Sequence, residues 1–212
     1  MSSNKLAAPE LAAVEIKGMT RQSFMMRGAV TAGAVYGLGA VGPFVREAIA
    51  QDGGGDVDIL NFALTLEYLE AAFYDQGLMM TSGLSMEAKS LATEIRDNEN
   101  EHVTALMGTI KQLGGKPVPA PGVDFGKAFA NEKSFLKLAQ TFEDTGVSAY
   151  NGAAPAIQAD EVLAAAGSIV QVEARHAAAV RILNGKQPAA GAFDPALDMQ
   201  QVLDAVQPFV KS

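Results

Sequence analysis

The sequence predicts an all-α protein: a four-helix bundle made of two helical hairpins joined by one long crossover, with a short C-terminal helix. Three observations carry this reading. Of 212 residues, 49% are hydrophobic but only 7% aromatic, Trp is absent and Ala is abundant, which favours helices over strands. Four stretches repeat apolar residues at helical spacing, each opening on a residue able to cap a helix. Two short turns flank a single long connection rich in Pro and Gly. The length suits one well-buried domain.

The first segment reads as an export signal over residues 1–50. Residues 21–24, Arg21-Gln22-Ser23-Phe24, are similar to a twin-arginine signal whose second arginine is replaced; a general secretory route fits as well. The uncharged, Gly- and Ala-rich residues 28–45 follow, then Ala48-Ile49-Ala50, the small-x-small pattern accepted by a signal peptidase. Export places the mature protein in the periplasm or outside the cell. Retained, the segment is a packing arm or a membrane anchor, and only then is membrane a partner. Gly37, Gly39 and Gly42 match a dinucleotide-binding fingerprint in letters alone, without the strand and βαβ unit that it needs.

Residues 51–55, with three consecutive glycines, form a linker, and the bundle spans residues 56–184. Asp56 or Asp58 caps a first helix through Ile59, Phe62, Leu66, Leu69 and Phe73 that stops at Gly77. Ser85 caps a second through Leu91, Ile95, Leu106 and Ile110 to Leu113, before Gly114. Residues 116–130 form the crossover. About 18 extended residues span roughly 59 Å, more than the ~40 Å length of a 27-residue helix. Asn131 caps a third helix through Phe135, Leu138, Phe142 and Tyr150, broken by Gly152 and Pro155. Asp160 opens the fourth, which ends at Asn184-Gly185. The tail, residues 185–212, has room for one short helix near residues 200–206. Met79, Met80 and Met86, at the first turn, are read as packing residues.

The candidate chemistry rests on two repeated spacings. The chain has two histidines, and each follows a glutamate by three residues: Glu99-Asn100-Glu101-His102 and Glu173-Ala174-Arg175-His176. Positions i and i+3 share a helix face, so both side chains can reach one metal ion. On the other two helices, Glu67 precedes Tyr74 by seven residues and Glu143 precedes Tyr150 by seven, close to two turns. Glu67 and Tyr74 recur 76 residues later; Glu99 and His102 recur 74 residues later. The chain therefore reads as a duplicated helical hairpin, each copy supplying half of a site.

One Glu from each of two helices and Glu-x-x-His from each of the others resembles the ferritin-like di-iron and di-manganese carboxylate proteins. Residues 59–74, ILNFALTLEYLEAAFY, look like the first helix of the bacterial ferritin-like family that includes desiccation-related proteins. The resemblance implies that Glu67, Glu99, His102, Glu143, Glu173 and His176 hold two Fe or Mn ions. It also implies that Glu99 and Glu143, or their counterparts, bridge the ions; the spacing itself leaves bridging and terminal roles open. Four glutamates on otherwise apolar faces would repel one another, whereas two divalent ions balance them.

Other candidates surround this set. Glu70 can serve as an extra ligand or as half of a surface salt bridge. Asn98 can hold His176, while Val172, its counterpart, offers His102 nothing. Tyr74 and Tyr150 can bond ligand carboxylates, carry oxidising equivalents or simply pack. Ala63, Ala71 and Gly146 leave room for a small oxidant. Redox chemistry with O2, peroxide or Fe(II) is the first functional expectation, and a non-catalytic, metal-stapled protein of stress protection or assembly is the alternative. The net charge of −8 argues against nucleic acid as a partner, and the oligomeric state is open.

Overall fold

The computed structural model describes residues 55–211. The export segment and nearly all of the linker therefore lie outside the described residues. Five α-helices follow: α1 Asp56–Met80, α2 Met86–Gln112, α3 Glu132–Ala153, α4 Asp160–Leu183 and α5 Met199–Val206. Among the described residues, the one β-type pairing is an isolated antiparallel bridge between Val123 and Val210.

Helices α1 and α2 pack along their length as one hairpin, and α3 and α4 as the other; α1 then meets α3, and α2 meets α4. α1 is apolar on nearly every side and is buried on nearly every side, as such a helix must be. Its buried Asn61 anchors the start of the crossover, donating to Lys116 O at 3.2 Å and accepting from Val118 N at 2.9 Å. The end of the crossover is tacked to the tail, with Asp124 N donating to Phe209 O and Lys211 N to Gly122 O, both at 2.9 Å.

Helix starts follow the caps that the residues offer. Ser85 accepts from Ala88 N, and Asn131 and Ser134 form a reciprocal capping box. Asp56 works at long range instead. Its carboxylate accepts from Gln158 N at 2.7 Å and Ala159 N at 2.8 Å, satisfying donors at the entry to α4.

Helix ends bring corrections. Gly77 does not stop α1, which runs on to Met80. A Cβ at Gly77 would lie 2.3 Å from Phe135 Cε2, so the glycine admits a ring and does not end a helix. Gly152 likewise lies inside α3, where a Cβ would meet Leu197 O at 1.8 Å; the break comes at the short 3-10 turn containing Pro155. Met79, Met80 and Met86 do not pack: they are 77%, 61% and 84% exposed.

The core falls into two clusters. Phe73 is the hub of one, with Tyr74, Phe125, Phe129, Phe135 and Phe142 at ring-centroid distances of 5.1–5.5 Å. The tail closes that end through Phe209, 5.1 Å from Phe142. The other cluster gathers Leu60, Leu64, Leu106, Ile110, Val162 and Ile169. Tyr74 belongs to the first cluster and Tyr150 to the second, and the helix segments between them carry Glu67 and Glu143.

Candidate metal centre

Four carboxylates, Glu67, Glu99, Glu143 and Glu173, are fully buried at mid-bundle, one from each long helix. His102 and His176 stand one turn beyond the glutamates of α2 and α4. They fall into two groups whose donor atoms lie within 4.8 Å of one another: Glu67, Glu99, His102 and Glu173, and Glu99, Glu143, Glu173 and His176. Glu99 and Glu173 stand in both groups. Glu143, expected beside Glu99 as a bridging candidate, stands in one only. The shared position opposite Glu99 belongs to Glu173, because α2 and α4 run antiparallel and bring their Glu-x-x-His segments side by side.

The antiparallel pairing of α1 with α3 fixes the outer oxygens. Tyr74 donates its hydroxyl proton to Glu143 Oε1, and Tyr150 donates to Glu67 Oε1, each at 2.5 Å. The other oxygens turn inward: Glu67 Oε2 lies 3.2 Å from His102 Nδ1, and Glu143 Oε2 lies 3.4 Å from His176 Nδ1. Each glutamate thus divides its oxygens, one for a tyrosine and one for the centre.

The imidazoles turn Nδ1 inward as well. His102 Nδ1 is 3.1 Å from Glu99 Oε2 and 3.1 Å from Glu173 Oε1; His176 Nδ1 is 3.0 Å from Glu99 Oε1. Asn98 meets the far side of His176, with its amide nitrogen 2.9 Å from Nε2. Were the Nδ1 lone pair to face a cation, Nε2 would carry the proton, and Asn98 with its amide turned over would accept it at Oδ1. Among the described residues, no side chain bonds Nε2 of His102 in this way.

Charge at the centre is compensated by protons. Burial and the charge of Glu173 push Glu67 well above the ordinary carboxylate range, and burial raises Glu143 as well. Glu173 rises to about 8, through burial and the neighbouring charge of Glu99. Burial works to raise Glu99 too, but the contacts from His102 and His176 outweigh it and hold the group at about 2. Burial works to lower both histidines, yet the carboxylates around them push His102 to about 12 and His176 to about 10. Protons on the two imidazoles thus stand where cations are wanted. Burial and the adjacent glutamates raise both tyrosines well above their usual range, so each remains a hydrogen-bond donor.

Even so, Glu99 Oε1, Glu143 Oε2, both Glu173 oxygens and His176 Nδ1 are buried without an aligned hydrogen-bond partner. Buried polar atoms ordinarily have partners. Convergent orphan oxygens and an imidazole nitrogen are the donor set that a pair of hard or borderline divalent cations would satisfy.

Four further residues bear on the expectations around the centre. Glu70 is no surface residue: it is 3% exposed and faces the centre. The room expected at Gly146 is taken, since a Cβ there would lie 3.1 Å from Glu70 Oε1 and 3.2 Å from Glu173 Oε2. Ala63 and Ala71 are buried core residues. The burial of Glu70 carried one signal in the sequence, its place three residues after Glu67 on nearly the same helix face.

No curated protein matches the chain. Residues 55–186, which hold α1 to α4 and every residue of the centre, match the ferritin-like domain, and the chain belongs to that family.

Proposed function

We propose that the chain holds two iron or manganese ions in this centre and uses them in redox chemistry with O2, peroxide or Fe(II). The observation that carries this reading is the doubled donor set sharing Glu99 and Glu173. Six side chains would then hold the two ions, Glu67 and His102 belonging to one donor group alone and Glu143 and His176 to the other. The donors are all oxygen and nitrogen, which suits iron and manganese. Four carboxylates balance two divalent charges, and the imidazoles stay neutral. When bound, either metal supplies one-electron steps between its divalent and trivalent states.

The chain's own residues prepare the site for that work. The tyrosine hydroxyls hold Glu67 and Glu143 so that each presents one oxygen inward. Asn98 holds the His176 ring at its outer nitrogen. Apolar clusters toward both ends of the bundle keep water away, which strengthens every charge interaction between them. To act as ligands, His102 and His176 would have to give up the protons they hold in the metal-free protein.

Activity assays test the redox half of the reading. Metal-free protein given Fe(II) in air should oxidise it faster than buffer, or the Fe- or Mn-loaded protein should consume hydrogen peroxide. The His102→Ala, His176→Ala double variant should do neither. A wild-type protein that binds metal yet turns over neither substrate would leave the ions as a staple for the bundle.

A further inference from the structure

Glu70 has no place among those six donors, yet it is the fifth carboxylate buried at the centre. Its exposure is 3%, and no hydrogen-bond donor meets it among the described residues. Burial, followed by the charges of Glu173, Glu99, Glu143 and Glu67, raises it well above the ordinary carboxylate range. A carboxylate kept in such a place without a partner is costly, and a packing role would be met better by an apolar side chain.

The duplication shows how the fold admits it. Glu67 and Tyr74 of α1 correspond to Glu143 and Tyr150 of α3, each 76 residues on; by the same offset Glu70 corresponds to Gly146. The crossed bonds of Tyr74 to Glu143 and Tyr150 to Glu67 set the register of the antiparallel pair. In that register Glu70, midway between Glu67 and Tyr74, faces Gly146, midway between Glu143 and Tyr150. The glycine opens the space that the carboxylate fills, with Glu70 Oε1 3.1 Å and Glu173 Oε2 3.2 Å from the point where a Cβ would stand. The pseudo-twofold relation is thus broken at one pair of positions, and the extra carboxylate and the shared Glu173 both border the space that Gly146 leaves.

We infer that Glu70 is a seventh metal-binding residue, reaching the centre from the α1–α3 side beside Glu173. The inference rests on the two-ion reading of the site. It gives the centre five carboxylates, enough to hold charge beyond the four units of two divalent ions. No corresponding carboxylate comes from α3, so the two halves of the centre are chemically unequal despite their matched ligands.

Calorimetric titration of Mn(II) into the metal-free wild type, Glu70→Gln and Glu67→Gln tests this, with thermal melting of each metal-free form. Gln preserves the shape of Glu70 and removes its charge. The expected result is that Glu70→Gln weakens at least one ion by about 10-fold or more. Its metal-free form should melt no lower than wild type, because a buried like charge has been removed. A purely structural role would move these readouts differently, lowering the melting temperature or leaving metal affinity alone, and either result overturns the proposal. Wild-type protein that binds two ions, with Glu70→Gln matching it while Glu67→Gln weakens one, overturns the role of Glu70 and leaves the centre standing. A wild type that binds no Mn(II) overturns both.

Discussion

Glu99→Gln is expected to weaken both ions together, each by ~100-fold or more, past the ~10–100-fold that losing an outer hydrogen-bond partner typically costs. Glu67→Gln should weaken one ion and spare the other. The contrast follows from geometry: Glu99 lies in both donor groups, and Glu67 lies in one. The low value of about 2 for Glu99 points the same way, because both imidazoles face that carboxylate. Titration of each variant by calorimetry reads the two affinities. Retention of one ion at wild-type affinity in Glu99→Gln would remove the sharing that makes this one centre instead of two.

The second large effect is a reversed dependence on pH between metal-free and metal-loaded protein. Glu173 stands at about 8 against an ordinary 4.5, so its charged form is disfavoured by folding and costs stability as pH rises between those values. His102 and His176, raised to about 12 and about 10, stabilise the fold fully below their ordinary 6.5 and lose that contribution as pH climbs toward those values. Glu99 acts oppositely, but its contribution is present above 4.5 and fades only toward about 2. The metal-free protein should therefore melt highest near about pH 5 and lose stability steadily toward about pH 9. Metal must displace these protons, so the gain on loading grows over the same range. Two ions, each at 100 times its dissociation constant, contribute about 5 kcal/mol, or roughly 10–20 °C in a chain of this size. Melting curves with and without metal across that range test the signs; a metal-free melting temperature that rises from about pH 5 to 8 contradicts them.

Much of this was legible in the residues. Ser85, Asn131 and the Asn184-Gly185 stop mark helix ends within a residue of where they fall, because a cap acts through its own backbone neighbourhood. The convergence of four glutamates and two histidines follows from spacing once the hairpin is seen to be duplicated. Contacts between distant segments were hidden. Gly77 and Gly152 look like breakers until Phe135 and Leu197 are found against them. Asp56 looks like a cap for its own helix and instead serves the start of α4. Glu99 and Glu173 are shared because α2 and α4 are neighbours, a fact of packing that no single helix records. The sequence left Glu70 as an extra ligand or half of a surface salt bridge, and only its burial opposite Gly146 excludes the second. The export segment has no structural counterpart among the described residues, so its reading stands on sequence alone.

The central claim is that the bundle exists to hold two ions between its halves. Metal analysis of the protein purified from its native host under non-chelating conditions, with anomalous scattering from crystals of the same material, tests it most directly. The account predicts two Fe or Mn ions per chain, one near His102 and one near His176, with Glu99 and Glu173 touching both. A single ion, a metal held elsewhere on the chain, or density in which protonated His102 and His176 alone fill the centre would contradict it.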